Sequence, residues 1–106
     1  MHVKVLIKRS LPEEEDRQRK LLSLIAMMRA KVAHHKGYVT SEVLWNVEHL
    51  NEVLSITEWR NLDAWKSWLA DEGFKTLQQQ IDELGCETRF EIYTHPEEEW
   101  NMPIML

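Results

Sequence analysis

Residues 52–84 read EVLSITEWRNLDAWKSWLADEGFKTLQQQIDEL, and the fold turns on how this stretch divides. Its first part, Glu52 to Trp59, is dense in Val, Leu, Ile, Thr and Trp, which suit a pleated, half-buried surface, and predicts a strand. Asn61 then stands where a helix N-cap belongs, because its side-chain oxygen can accept from a free amide of the first turn. Asp63 adds negative charge at the positive end of the helix dipole. Leu62, Trp65, Trp68 and Leu69 share one face of that helix. Asp71 begins a second helix faced by Phe74, Leu77, Ile81 and Leu84, and Gly85 is placed to end it.

Working outward, residues 2–8 (HVKVLIK) alternate with Val3, Val5 and Ile7 on one side, the period of a strand packed on one face. Ser10 and Glu13 read as a capping box for the helix that follows. That helix carries Leu21, Leu24, Ile25, Met28 and Val32 on one stripe and closes on His34, His35, Lys36 and Gly37. Tyr38 to Asn46 is a further strand, joined through the polar loop Val47 to Asn51 to the strand at Glu52 as a hairpin. Glu87 to Thr94 supplies the last strand, with Phe90 and Ile92 facing one way.

The order is therefore βαββαβ, an α+β, ferredoxin-like domain over residues 2–94 with four antiparallel strands and helices on one side. One helix layer leaves the other sheet face bare. That face is expected to hold Leu6, Tyr38, Leu44, Trp59 and Tyr93 beside Lys4, Glu42, Arg89 and Glu91. So much apolar surface predicts a symmetric partner, hence a homodimer. The tail, residues 95–106, breaks at Pro96, crosses an acidic patch and ends on Trp100, Met102, Ile104, Met105 and Leu106. An end this apolar is expected to dock on the partner subunit.

Composition narrows the function classes. A chain of 106 residues, 43% hydrophobic and 29% charged, suits one globular domain. No apolar run approaches the ~20 residues of a membrane span, and no secretory h-region precedes the first strand, so no membrane contact and a cytoplasmic location are expected. The net charge of -5 argues against nucleic acid. Cys86 is the single cysteine, which rules out an intrachain disulfide. His34 and His35 are neighbours and diverge on a helix, and no HExxH spacing occurs, so no metal is expected. The three glycines are widely separated, which excludes a phosphate-cradling loop, and no GxSxG elbow is present.

Glu58, Trp59, Trp68, Leu69 and Phe74 together resemble the antibiotic biosynthesis monooxygenase family, small domains of the dimeric α+β barrel type. The resemblance implies a homodimeric barrel and, as the leading activity, cofactor-independent monooxygenation of a small aromatic or quinol-like molecule. A non-catalytic dimer that binds a small apolar ligand or serves as a structural module is the alternative, and haem degradation stands third. In haem-degrading relatives the site uses a Trp on the second helical segment, a His ten residues later and an Asn at the end of the first strand. The Trp matches Trp68, but the other two positions hold Gln78 and Lys8. A glutamine amide is a poor axial ligand beside an imidazole, so neither haem nor any other cofactor is expected. The resemblance thus makes Trp68 the candidate catalytic residue. Trp65 and Phe74 are candidate pocket walls, and Lys8 and Gln78 candidate polar contacts to substrate. Against this stands the rule that Trp and Phe at helical spacing are usually core, and that Gln78 at the edge of an apolar face can be a surface residue.

Overall fold

In a computed structural model that describes residues 2–96, the chain runs β1 (Val3–Ser10), α1 (Glu15–Val32), β2 (Tyr38–Trp45), β3 (Glu52–Trp59), α2 (Leu62–Leu69), α3 (Glu72–Glu83) and β4 (Thr88–Thr94). The strands form one antiparallel sheet in the order β2-β3-β1-β4. This is the ferredoxin-like α+β arrangement, and the helices pack on one face of the sheet. The expected tail contacts of Trp100 to Leu106 lie outside the described residues.

Register explains which face the helices cover. Along β1, Val3, Val5, Ile7 and Arg9 point inward opposite Trp59, Thr57, Ser55 and Val53 of β3, and all eight are buried. Lys4, Leu6 and Lys8 alternate to the outer face beside Leu54, Ile56 and Glu58. Two residues expected outside are therefore inside. Trp59 is 0% exposed, and Tyr38 lies edge-on against it with ring centroids 5.9 Å apart. Because Trp59 shares its parity with Val53, the alternation of β3 places it under the helices; only a register fixes that parity. Leu6, Leu44 and Tyr93 do lie on the outer face, as do Lys4, Glu42, Arg89 and Glu91.

Helix α1 buries Leu21, Leu24, Ile25, Met28 and Val32 against that inner face. Each such side chain contributes about 1.5 to 3 kcal/mol relative to exposure, more than the ~1 kcal/mol of an N-cap. The helix accordingly forms without one, since Glu14 at the N-cap makes no side-chain cap bond. The expected capping box at Ser10 is absent because Ser10 ends β1 instead. Its amide donates to the Glu87 carbonyl at 3.0 Å, and its hydroxyl accepts from the Glu87 amide at 2.8 Å. The expected caps on α2 and α3 are present: Asn61 accepts from the Ala64 amide at 2.8 Å, and Asp71 from the Gly73 amide at 2.7 Å.

Both loop glycines that stop helices adopt positive φ, +88° at Gly37 and +83° at Gly85. They differ in surroundings. A Cβ on Gly37 would enter the shell of the Ala64 methyl, whereas one on Gly85 would meet nothing within 4 Å. Gly85→Ala should therefore cost only the left-handed backbone term of about 1 to 2 kcal/mol. Gly37→Ala adds overpacking and should cost about 2 to 5 kcal/mol. Urea denaturation of the two variants checks the ranking; equal losses would contradict it.

Candidate functional site

The aromatic residues of β3, α2, α3 and β4 form one edge-to-face chain. Trp59 meets Trp65 at 5.8 Å, Trp65 meets Phe90 at 5.5 Å, and Trp68 meets Phe74 at 5.6 Å between ring centroids. Trp65 and Phe74 are buried in this chain as core, the commoner fate of aromatic residues at helical spacing. Trp68, also buried, belongs to it too and lines the adjoining cleft. His35, half-buried after α1, sits edge-on to Trp68 at 5.4 Å and to Trp59 at 5.9 Å. Its Nε2 lies 3.2 Å from the Ser67 hydroxyl. Rather than extending the helix end, His35 packs over the tryptophans.

The space beside Trp68 is a cleft between α1 and the inner face of the sheet, floored by Ile7, Ser55 and Thr57 and roofed by Ile25, Met28 and Val32. Arg29 bridges its rim from α1 to the edge strand, donating to the Ser41 hydroxyl at 3.3 Å and the Ser41 carbonyl at 3.2 Å. The cleft has about 340 Å³ of free space including its open mouth, of which about 20 Å³ takes a water-sized occupant. That space holds about one water.

One cation reaches the cleft from below. Arg9, at the buried end of β1, is 2% exposed and lines it. Its Nη2 donates to the Gln78 side-chain oxygen at 2.9 Å and approaches the Met28 sulfur at 3.6 Å. Gln78 is held in that orientation because its amide nitrogen donates to Asp82 at 2.9 Å and Thr88 at 3.1 Å. Burial pulls the Arg9 guanidinium down to about 10, which leaves it charged at neutral pH. Burial also pushes the Cys86 thiol up, so Cys86 stays protonated there and is no nucleophile.

The structure brings Trp68 to the cleft and places Gln78 behind it, one hydrogen bond away through Arg9. Lys8 goes elsewhere. It lies on the opposite face of the sheet, 2.9 Å from Glu91. That contact raises the Lys8 ammonium and lowers the Glu91 carboxyl, each through their shared hydrogen bond and charge. The residue missed by the sequence reading is Arg9. Continuing the period of Val3, Val5 and Ile7 by one more step reaches it, and β1 runs two residues past the expected end at Lys8, to Ser10. Among the described residues no group of three or more His, Cys, Asp or Glu side chains could hold a metal ion.

A four-stranded antiparallel sheet under one helix layer makes this a ferredoxin-like α+β fold. The chain belongs to the antibiotic biosynthesis monooxygenase family, whose model matches residues 3–80. No curated protein matches it in sequence. Among solved structures it is similar to SnoaB of Streptomyces nogalater, a cofactor-independent oxygenase, at 20% identity and a TM-score of 0.76 over 89% of this chain and 92% of SnoaB. A conserved protein of Methanosarcina mazei superposes with TM-score 0.77 at 17% identity, over 88% of this chain and 91% of that one. Rv0793 of Mycobacterium tuberculosis does so with TM-score 0.74 at 15% identity, over 88% and 94%. At these identities the likeness establishes the fold alone.

The Arg9–Gln78 contact makes a stability prediction. Gln78→Leu leaves a buried guanidinium with one partner fewer and should destabilise by about 1 to 3 kcal/mol. Adding Arg9→Met removes the stranded charge and should recover most of that loss. A double-mutant cycle by urea denaturation reads both; additive losses would show that the two side chains do not act together.

Proposed function

We propose that the protein is a cofactor-independent monooxygenase of a small aromatic or quinol-like molecule, acting as a homodimer. The observation that carries this reading is the apolar cleft at Trp68, with the Ser55 and Thr57 hydroxyls and the Arg9 cation as its few polar groups. Family membership and the activity printed for SnoaB support it. A substrate that loses a ring proton can itself supply electrons to O2. When a ring CH2 is oxidised, one oxygen atom stays on carbon as a carbonyl, and the other leaves as water with the two hydrogens. The protein then has to hold the ionised substrate, keep bulk water away and let O2 approach. A narrow apolar cleft with a fixed cation suits that work.

The homodimer is supported by the outer sheet face, where Leu6, Leu54 and Ile56 are only half-buried and Leu44 and Tyr93 are exposed in the single chain. A second copy of the sheet would cover them. A non-catalytic ligand-binding or structural role is the second reading, favoured by the narrowness of the closed cleft. Gln78 is a poor haem ligand. Gln78 spends its amide on Arg9, Asp82 and Thr88, and it does not line the cleft. Among the described residues no helix is long and apolar enough to cross a membrane.

Oxygen uptake by EDTA-treated protein with 1,4-dihydroxynaphthalene or anthrone tests the activity. The wild type should exceed autoxidation, and Trp68→Phe, which keeps a ring but reshapes the wall, should lower the rate by about tenfold, or ~1.4 kcal/mol of barrier. Uptake no faster than autoxidation would favour the non-catalytic reading. Sedimentation equilibrium at micromolar concentration should give twice the 12.7 kDa chain mass; a monomer would remove the dimer from the proposal.

A further inference from the structure

Strand β4 ends the sheet, and among the described residues its far edge pairs with no other strand. Pairing with β1 fixes which backbone groups that edge presents. The Ser10 amide donates at 3.0 Å to the carbonyl of Glu87, the residue directly opposite it. Opposed residues of an antiparallel pair exchange such bonds at every second position. Arg89, Glu91 and Tyr93 therefore turn their amides and carbonyls to β1, while Phe90 and Ile92 turn theirs to the free edge. The same two residues point their side chains to the helix-covered face, opposite Ile7 and Val5, and yet stay 40% and 48% exposed. Trp65 and Phe74 reach Phe90, at 5.5 and 6.4 Å between ring centroids, without closing over it. Unmet hydrogen bonds and an apolar strip thus lie side by side on one edge strand, a combination that native proteins cover.

We propose that residues 98–106 of the same chain cover this edge as a fifth antiparallel strand, with their apolar side chains on Phe90 and Ile92. The segment starts where it is needed, because β4 ends at Thr94 and only His95, Pro96 and Glu97 lie between. Its apolar residues alternate: Trp100, Met102 and Ile104 are separated by Asn101 and Pro103, the period of a strand packed on one face. A three-residue hairpin link sets Trp100 against Ile92 and Met102 against Phe90, all four on the helix-covered face. Pro103 checks this register independently. It falls opposite Arg89, where the N–H that proline lacks would face solvent, the place a sheet tolerates proline. A link one residue longer or shorter would turn Pro103 into the ladder and Trp100 to the opposite face. The tail is assigned to its own subunit and not to the partner, since so short a link costs little closure entropy. This strand does not depend on the oxygenase reading, and it leaves Leu6 and Tyr93 on the outer face free for a second copy.

Amide hydrogen exchange on the full chain, read by NMR, tests the fifth strand. The Phe90 and Ile92 amides should be protected in the wild type. Met102→Pro, which removes a ladder donor, should speed their exchange at least about tenfold and leave Glu91, bonded to β1, unmoved. Asn101→Pro, one residue away with its N–H toward solvent, should change them by no more than about twofold. Nuclear Overhauser contacts should join the Trp100 ring to the Ile92 methyls. In a mixture of labelled and unlabelled protein, filtered for contacts between chains, they should vanish. Unprotected Phe90 and Ile92 amides in the wild type, or equal effects of the two prolines, would overturn the proposal. So would Trp100 contacts to Tyr93 in place of Ile92, or contacts that survive the filter and so belong to the partner subunit. If Met102→Pro does not fold, wild-type protection and the Trp100 contacts still decide.

Discussion

The central strand β1 pairs on both edges, with β3 and with β4, and that double pairing fixes the rest of the molecule. Once Val5 stands opposite Thr57 and Ile92, every inward residue of three strands is assigned, and a slip of one residue would turn all of them outward. The helices then have one apolar surface on which to settle. Their stripes, Leu21 to Val32 on α1 and Phe74 to Ile81 on α3, meet it and each other. Arg9 is carried into the interior by the same alternation that buries Val3, Val5 and Ile7. Its burial is a consequence of register, and it makes Arg9 the one buried charged side chain among the described residues.

Charge is divided between the two faces of the sheet. Outside, Lys8 and Glu91 pair at 2.9 Å where water screens them, so the pair adds little to stability. Its sign with pH is still defined: the lowered Glu91 carboxyl makes a contribution that is present above the ordinary carboxylate range and fades as pH falls through the folded value. Inside, one guanidinium faces apolar side chains, a thioether and a neutral amide. Low local polarizability makes that charge far more potent than any on the surface. The molecule therefore concentrates its electrostatic leverage at one buried point, on a cleft that Trp68 also lines.

Much of the fold was legible because each element carries its own signal. The stripe of α1, the Asn61 and Asp71 caps and the stops at Gly37 and Gly85 are local facts of spacing and residue type, and the structure keeps them. Features that depend on pairing were not legible. Whether Trp59 faces in or out needs the parity of β3 against β1, and Ser10 is no cap because Glu87, just before β4, donates to its hydroxyl. The candidate site divides the same way. Trp68, named from the family pattern, lines the cleft, whereas Lys8 lies on the outer face and the parity of β1 carries Arg9 to the inner one.

The most direct measurement is a proton–nitrogen NMR titration, under nitrogen, that follows the Arg9 Nε–H and the Trp68 indole N–H as 1,4-dihydroxynaphthalene is added. The account predicts that both signals move along one saturable isotherm, because Arg9 and Trp68 line the same cleft. Shifts confined to Lys8, Arg89 and their neighbours on the outer face, with Arg9 and Trp68 unmoved, would contradict it.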